Sequence, residues 1–157
     1  MGNKNSYVRY KIEGFTPSEE EFINETLNDP RGWASYGLTF MKDSRFVNFN
    51  LYKKSPMEIY ERADRDEEFK KLSATFSFHD GRIPDVYINE ENWENPPECF
   101  TGSKTEYRQY VIQHEIGHVL GQGHEPEGEE GELCHVMYQQ TKGTKKCIPN
   151  PWIKNNI

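Results

Sequence analysis

The segment from Ser103 to Gly121 constrains the fold most, because it carries signals for both ends of a long helix. Ser103, followed three residues later by Glu106, is a capping box, in which each side chain accepts a hydrogen bond from the other residue's backbone N–H. Gly121 is of the type that most often follows a last helical turn, because glycine adopts a left-handed backbone conformation without strain. The sequence therefore predicts a helix from about Lys104 to Leu120.

Three of the chain's five histidines lie in this helix or just beyond it. His114 and His118 are four residues apart, so both imidazoles lie on one helix face and can reach one point in space. Gly121 allows the chain to reverse, which brings His124 back toward that point. Glu115 lies about 100° around the helix, near the point but not placed as an equal ligand. The pattern predicts Zn²⁺ held by His114, His118 and His124, with Glu115 as general base.

Three histidine ligands leave the fourth tetrahedral position open to water, as a catalytic zinc site requires. The alternative is a structural zinc, in which Cys134 or His135 closes the coordination sphere.

The rest of the chain predicts further strands and helices. A second capping box, Thr16 with Glu19, starts a helix that runs to about residue 28, with Pro17 in its first turn. Residues 56–72 are charged and mostly helical or irregular. Alternating or apolar runs predict strands at 6–12, 36–43, 45–53, 73–81 and 84–93, with a tight turn at residues 43 and 44 between the second and third.

These elements predict an α+β fold in one domain, residues 1–157. A twisted mixed sheet of about five strands is expected, with one helix before it and the long histidine-bearing helix after it. An upper part spans about 6–123, and a coil-rich C-terminal part spans about 124–157.

Net charge and hydropathy exclude some classes of binding partner. The formal net charge of −7 argues against nucleic acid, which requires a basic surface. No apolar run of about 18 residues is present, so no transmembrane segment is expected. The N-terminus lacks the apolar stretch of a secretory signal, which slightly favours an intracellular protein, and a monomer is expected. Gly2 and Ser6 fit the N-myristoylation pattern, and an unmodified, solvated N-terminal tail is the alternative interpretation of the same residues.

The three cysteines leave two interpretations open. Cys134 and Cys147 can pair as a disulfide that closes a short loop, with Cys99 as a free thiol, or all three can be thiols in a cytosolic protein.

The histidines, Glu115 and Gly121 together form the motif H-E-x-x-H-x-x-G-x-x-H, whose fixed positions are residues 114, 115, 118, 121 and 124. The chain therefore resembles the metzincins, zinc peptidases that carry this motif and a Met-turn. "CHVMY" resembles the Met-turn, which implies that Met137 lies under the metal as a hydrophobic floor and does not bind it. The resemblance also implies that residues 74–79 form an antiparallel edge strand that pairs with an extended substrate. Gly121 and Met137 are thus expected to support the site.

A closer likeness is to a small group of metzincin-like domains of unknown function, common in actinobacteria. It rests on "DPRGW" at 29–33, "INEENW" at 88–93 and "VMYQQTKGTKKCIPNPW" at 136–152. The astacin-type tyrosine, two residues after the methionine, is not matched, because Tyr138 follows Met137 directly.

The resemblance implies a zinc-dependent endopeptidase that acts on a peptide or protein bound as an extended strand. A metzincin-shaped binding module with a structural or blocked zinc site is the alternative, and hydrolysis of a non-protein amide is another. The glutamate-rich loop at 125–132 predicts either a negative rim that favours basic substrates or a solvated loop.

Overall fold

The computed structural model describes residues 6–154. The strands are β1 (Ser6–Glu13), β2 (Leu38–Lys42), β3 (Phe49–Lys54), β4 (Ala74–Phe76) and β5 (Asp85–Asn89). The α-helices are α1 (Pro17–Leu27), α2 (Pro56–Arg62), α3 (Glu90–Glu94) and α4 (Lys104–Val119). Short 3₁₀ helices span Trp33–Tyr36, Glu67–Lys70 and Gln140–Lys142. Gly2, named above for myristoylation, lies outside the described residues. Within them, no helix is long and apolar enough to cross a membrane.

The five strands form one mixed sheet in the order β2-β1-β3-β5-β4. Strands β2, β1, β3 and β5 are mutually parallel, and β4 pairs antiparallel with β5 at one edge of the sheet. This confirms the predicted α+β class with a five-stranded mixed sheet. Past α4 the chain is mostly irregular, with one 3₁₀ helix and an isolated bridge between Leu133 and Ile148.

The connection between β2 and β3 crosses the sheet instead of folding back as a hairpin. Although a tight turn is predicted at residues 43 and 44, β2 and β3 lie on opposite sides of β1. β2 pairs with residues 6–10 of β1 and β3 with residues 10–13. The two pairings are staggered along β1, so the connecting residues 43–48 cross over the middle of β1. Strand β3 then runs in the same direction as β2.

One face of the sheet is apolar and is covered by α1 and α4. Side chains alternate along a strand, so the register places most of the buried strand residues on this face: Tyr10, Ile12, Phe40, Phe49, Leu51, Val86 and Ile88. Helices α1 and α4 contact each other as well as this sheet, and the shared core lies between them.

Four of the five predicted strands are shorter than expected, and the last two differ most. The run at 84–93 is a strand only to Asn89, whose side chain accepts hydrogen bonds from the backbone N–H groups of Glu91 and Asn92 and so starts helix α3. The run at 73–81 is a strand only over β4. Asparagine favours such caps because its oxygen satisfies helix N–H groups that lack a partner.

Both predicted capping boxes are present, and Glu19 of the first also joins α1 to its neighbours. Its Oε1 accepts hydrogen bonds from Thr16 N (2.9 Å) and Lys53 Nζ (3.1 Å), and its Oε2 accepts one from Trp93 Nε1 (2.6 Å). Burial would raise the pKa of Glu19, but these hydrogen bonds and the Lys53 charge outweigh it and lower the pKa to about 2.

Replacing Glu19 with glutamine is expected to lower the free energy of unfolding at pH 7 by up to about 3 kcal/mol, the value of a depression from 4.5 to about 2. Because the folded-state pKa is depressed, this contribution is present above pH 4.5 and is lost as the pH falls toward about 2. Urea unfolding at several pH values measures it. Glu25→Gln, on the exposed side of the same helix, is the control; a pH-independent gap between Glu19→Gln and wild type would contradict the assignment.

Candidate metal centre

Helix α4 carries the first two histidines on one face. Ser103 caps its first turn, with the reciprocal Glu106 bond present. His114 lies in the buried part of the helix at 4% exposure, and His118 lies one turn further on. Their ring centroids are 4.9 Å apart.

The end of α4 turns the chain back toward those rings. Gly121 N donates to His118 O (3.0 Å) and Gln122 N donates to Gly117 O (2.8 Å), which is the Schellman arrangement. It requires a left-handed residue, and Gly121 has φ +93°. Gln122 O also accepts from His118 Nδ1 at 2.9 Å. The reversal brings His124 to within 3.1 Å of His118, measured between the two Nε2 atoms.

The three rings together have the geometry of a metal site. The candidate ligand atoms of His114, His118 and His124 all lie within 4.8 Å of one another, and within residues 6–154 they are the one such group. Backbone carbonyls engage Nδ1 of His114 (Val136 O, 2.8 Å) and of His118 (Gln122 O, 2.9 Å), which leaves both Nε2 atoms for an ion. Two nitrogens on a tetrahedral zinc are separated by about 3.3 Å, and the 3.1 Å between Nε2 of His118 and Nε2 of His124 agrees with that separation.

The same side chains are suited to metal binding near neutral pH. Burial lowers the pKa of His114 to about 3, against the opposing effect of its bond to Val136. Burial also lowers the pKa values of His118 and His124. The imidazoles are therefore neutral at pH 7, as metal ligation requires.

Glu115 is buried beside the histidines, and its carboxylate is held by the edge strand. Its Oε1 lies 2.8 Å from Thr75 Oγ1, and that hydroxyl is also 3.2 Å from the Glu115 carbonyl oxygen. Burial raises the pKa of Glu115 to about 7, and the Thr75 hydrogen bond opposes the rise. A carboxyl with this pKa can exchange a proton near neutral pH.

Met137 packs against the helix at Gly117. It is 1% exposed, and a Cβ added at Gly117 would overlap Met137 Sδ and lie 2.9 Å from a ring carbon of Trp33. Trp33 Nε1 in turn donates to Gln113 O at 2.8 Å. The tip of the Met137 side chain and the Trp33 ring thus lie against α4 in the space that a side chain at residue 117 would occupy.

Replacing Gly117 with alanine is therefore expected to destabilise the protein by about 1–3 kcal/mol through overpacking. In an unobstructed helix the same change would stabilise by about 1 kcal/mol, so the sign is diagnostic. Thermal unfolding of Gly117→Ala measures it. Gly123→Ala is the control, because nothing lies within 4 Å of its added Cβ; a Gly117→Ala protein more stable than wild type would contradict the packing.

Hydrogen bonds join the C-terminal segment to α4 and also form within that segment. Tyr110 donates from its hydroxyl to Tyr138 O (3.2 Å) and accepts from Gln140 N (2.9 Å), while its ring lies 5.2 Å from that of His114. The Tyr138 hydroxyl donates to Gly143 O at 2.6 Å. These bonds hold the segment that supplies Val136 O and Met137.

Cys134 and Cys147 form a disulfide, and Cys99 is free and exposed. A disulfide-bonded Cys134 has no thiolate to offer a metal. His135 is exposed, and its Nδ1 accepts a hydrogen bond from Met137 N at 3.0 Å. Neither residue joins the three-histidine group.

The glutamate-rich loop at 125–132 is mostly exposed. Glu127 Oε2 accepts from Lys146 N at 2.7 Å and from Cys147 N at 3.3 Å, so this carboxylate fastens the loop to the disulfide-bonded segment. The effect of the remaining loop charges on substrates stays a prediction.

A cavity of about 770 Å³ opens beside the histidines. Its walls include the edge strand region 73–77, the three histidines with Glu115, and the C-terminal residues Gln139, Thr141 and Lys142. Because β4 is the last strand of the sheet, its edge away from β5 has no strand partner within the described chain. An extended chain in this cavity would therefore lie between an open strand edge and the histidines.

Sequence reasoning missed three residues around this site. Gly117 could have been found from the sequence, because glycine destabilises the interior of a helix and its presence there indicates a packing requirement. Thr75 and Trp33 carried none, because their contacts are with residues 40 and 80 positions away in the chain.

Comparisons with known proteins place the chain in a family. No curated protein matches it. A solved structure described as "Structure of myroilysin" is similar, with 15% identity and a TM-score of 0.45, over 78% of this chain and 51% of that one. The chain thus spans about half the length of that structure. A family model matches residues 9–152, and the chain therefore belongs to the family described as "Protein of unknown function (DUF3152)".

Proposed function

We propose that this chain is a zinc-dependent endopeptidase, with His114, His118 and His124 as ligands and Glu115 as general base. The observation that carries the proposal is the convergence of three imidazoles beside a buried carboxylate in an open cavity. The motif resemblance to metzincins described above supports the same assignment.

A bound zinc ion supplies Lewis-acid chemistry, polarising a carbonyl oxygen and acidifying water. The protein's part begins with substrate placement. The open edge of β4 offers backbone N–H and C=O groups to an extended peptide, which would add as a further strand. That pairing would hold the scissile bond between the edge strand and the histidines.

Glu115 is proposed to take the proton of the attacking water and to pass it to the leaving amine. Its burial beside the histidines and its place in the cavity wall suit both steps, because a general base must lie within reach of the water it deprotonates. Met137 and Gly121 are proposed as supports. Met137 packs under the helix beside Gly117, and Gly121 permits the reversal that returns His124.

The peptide or protein substrate and the monomeric state also belong to this proposal. The intracellular location favoured by the sequence stays an expectation. The Cys134–Cys147 disulfide counts against it, because disulfides persist mainly in oxidising compartments.

The test combines metal analysis with cleavage of a broad peptide library. We expect about one zinc per chain after reconstitution, and cleavage that is abolished by a chelator and restored by zinc. Full zinc occupancy without cleavage of any peptide would instead favour the binding module. Hydrolysis of a cell-wall or small-molecule amide without peptide cleavage would favour the other hydrolase.

A further inference from the structure

We propose that Thr75 is a positioning residue, whose hydroxyl on the edge strand aims the carboxylate of Glu115 into the cavity. The inference rests on the proposed function, since it concerns the same site.

The first support is that Thr75 is the sole hydrogen-bonding partner of that carboxylate within residues 6–154. Thr75 Oγ1 lies 2.8 Å from Glu115 Oε1. A glutamate side chain loses up to about 2 kcal/mol of rotamer entropy when it is fixed, and hydrogen bonds to an ionised carboxylate are among the stronger ones in proteins. The Thr75 bond is therefore the polar contact that selects one carboxylate orientation.

The second support is the sheet register, which decides where the Thr75 side chain points. Thr75 pairs with Val86, and Val86 is 0% exposed on the helix-covered face. Residues directly opposite in a strand pair share a face, so Thr75 also points toward α4. Its neighbour Phe76 points to the other face, where its ring packs on Tyr87. A slip of one residue in β4 would remove the hydroxyl from Glu115.

The third support is that the hydroxyl touches two atoms of one residue. It lies 3.2 Å from the Glu115 carbonyl oxygen as well as 2.8 Å from Oε1. A threonine has restricted χ1 freedom, so this pair of contacts fixes the distance between β4 and the helix at the residue proposed as the base. The bond anchors Oε1, and Glu115 lines the cavity, so Oε2 is the carboxylate oxygen that we expect to accept from a water there.

It follows that the three residues of β4 serve both to bind the substrate and to position the general base. Its open edge would receive the peptide, and its central side chain holds the base. Movement of the edge strand relative to α4 would move the carboxylate as well, which couples substrate pairing to the orientation of Glu115.

Thr75→Val keeps the branched shape and removes the hydroxyl. We expect it to lower kcat by about 10-fold to 100-fold, by analogy with the loss of a hydrogen-bond partner of a metal ligand, with KM and zinc affinity changed less than about twofold. Thr75→Ser, which restores the hydroxyl, is expected to recover most of kcat. Thr105→Val makes the same change at an exposed position of α4 that does not line the cavity, and it serves as the matched control.

A readout independent of activity separates this inference from the proposed function. In crystal structures of the zinc-free proteins, Glu115 is expected in one conformer in wild type and Thr75→Ser, and in a different or several conformers in Thr75→Val. An unchanged single conformer in Thr75→Val, or wild-type kcat in that variant, would overturn the positioning role. Absence of any hydrolysis by wild type would sink the proposed function, and the conformer comparison would still decide the role of Thr75.

Discussion

Replacing Glu115 with glutamine is expected to lower kcat for peptide hydrolysis by about 10²–10⁴-fold, the usual contribution of a general base. Glutamine has nearly the same shape and can still accept from Thr75, but it cannot take a proton. Zinc affinity is expected to stay within a few-fold of wild type, because the carboxylate is not among the three grouped histidines. Steady-state kinetics on a cleaved library peptide, with zinc content measured on the same sample, tests both parts.

Glu125→Gln is the matched control, since it neutralises an exposed carboxylate directly after the third histidine. It is expected to keep wild-type kcat. A Glu115→Gln protein that retains zinc and cleaves at the wild-type rate would remove Glu115 from the mechanism.

Replacing His124 with alanine is expected to weaken zinc binding by at least about 100-fold. Loss of a mere outer partner of a metal ligand already costs about 10-fold to 100-fold, and His124 is one of three proposed ligands. His124 is exposed, so the variant should fold. Zinc binding is expected to stabilise wild type by about 4 kcal/mol at 1,000 times the dissociation constant, and most of this stabilisation should be lost in His124→Ala.

Competition with a chromophoric chelator measures the affinity, and thermal unfolding with and without zinc measures the stabilisation. His79→Ala, which removes an exposed histidine outside the cluster, is expected to change neither quantity. An equal zinc-dependent shift in His124→Ala and wild type would show that the metal binds elsewhere.

Sequence reasoning succeeded where the physical determinants are local. The capping boxes at Thr16 and Ser103 depend on residues three apart, and both are present in the structure. The histidine spacing on α4 is likewise a property of one helix. Its length and the glycine at its end were readable without knowledge of the rest of the chain.

It failed where the determinants are distant. The crossing of residues 43–48 over β1 depends on which strands pair, and the two strand patterns fit a hairpin equally well. Helix α3 is the local exception: it was missed because its Asn89 cap directly follows an apolar run without a break. The bond between Thr75 and Glu115 joins residues 40 positions apart, and only the register of β4 on β5 establishes it.

The position of β1 between β2 and β3 has a consequence for how the protein is made. β1 completes its pairing only after residue 54 has been synthesised, and the part of the apolar face that α4 covers stays bare until that helix emerges. Nascent or truncated chains that stop before residue 104 would present that bare face, which is the kind of surface that chaperones bind and that drives aggregation. Fragments for expression should therefore extend through the whole of α4.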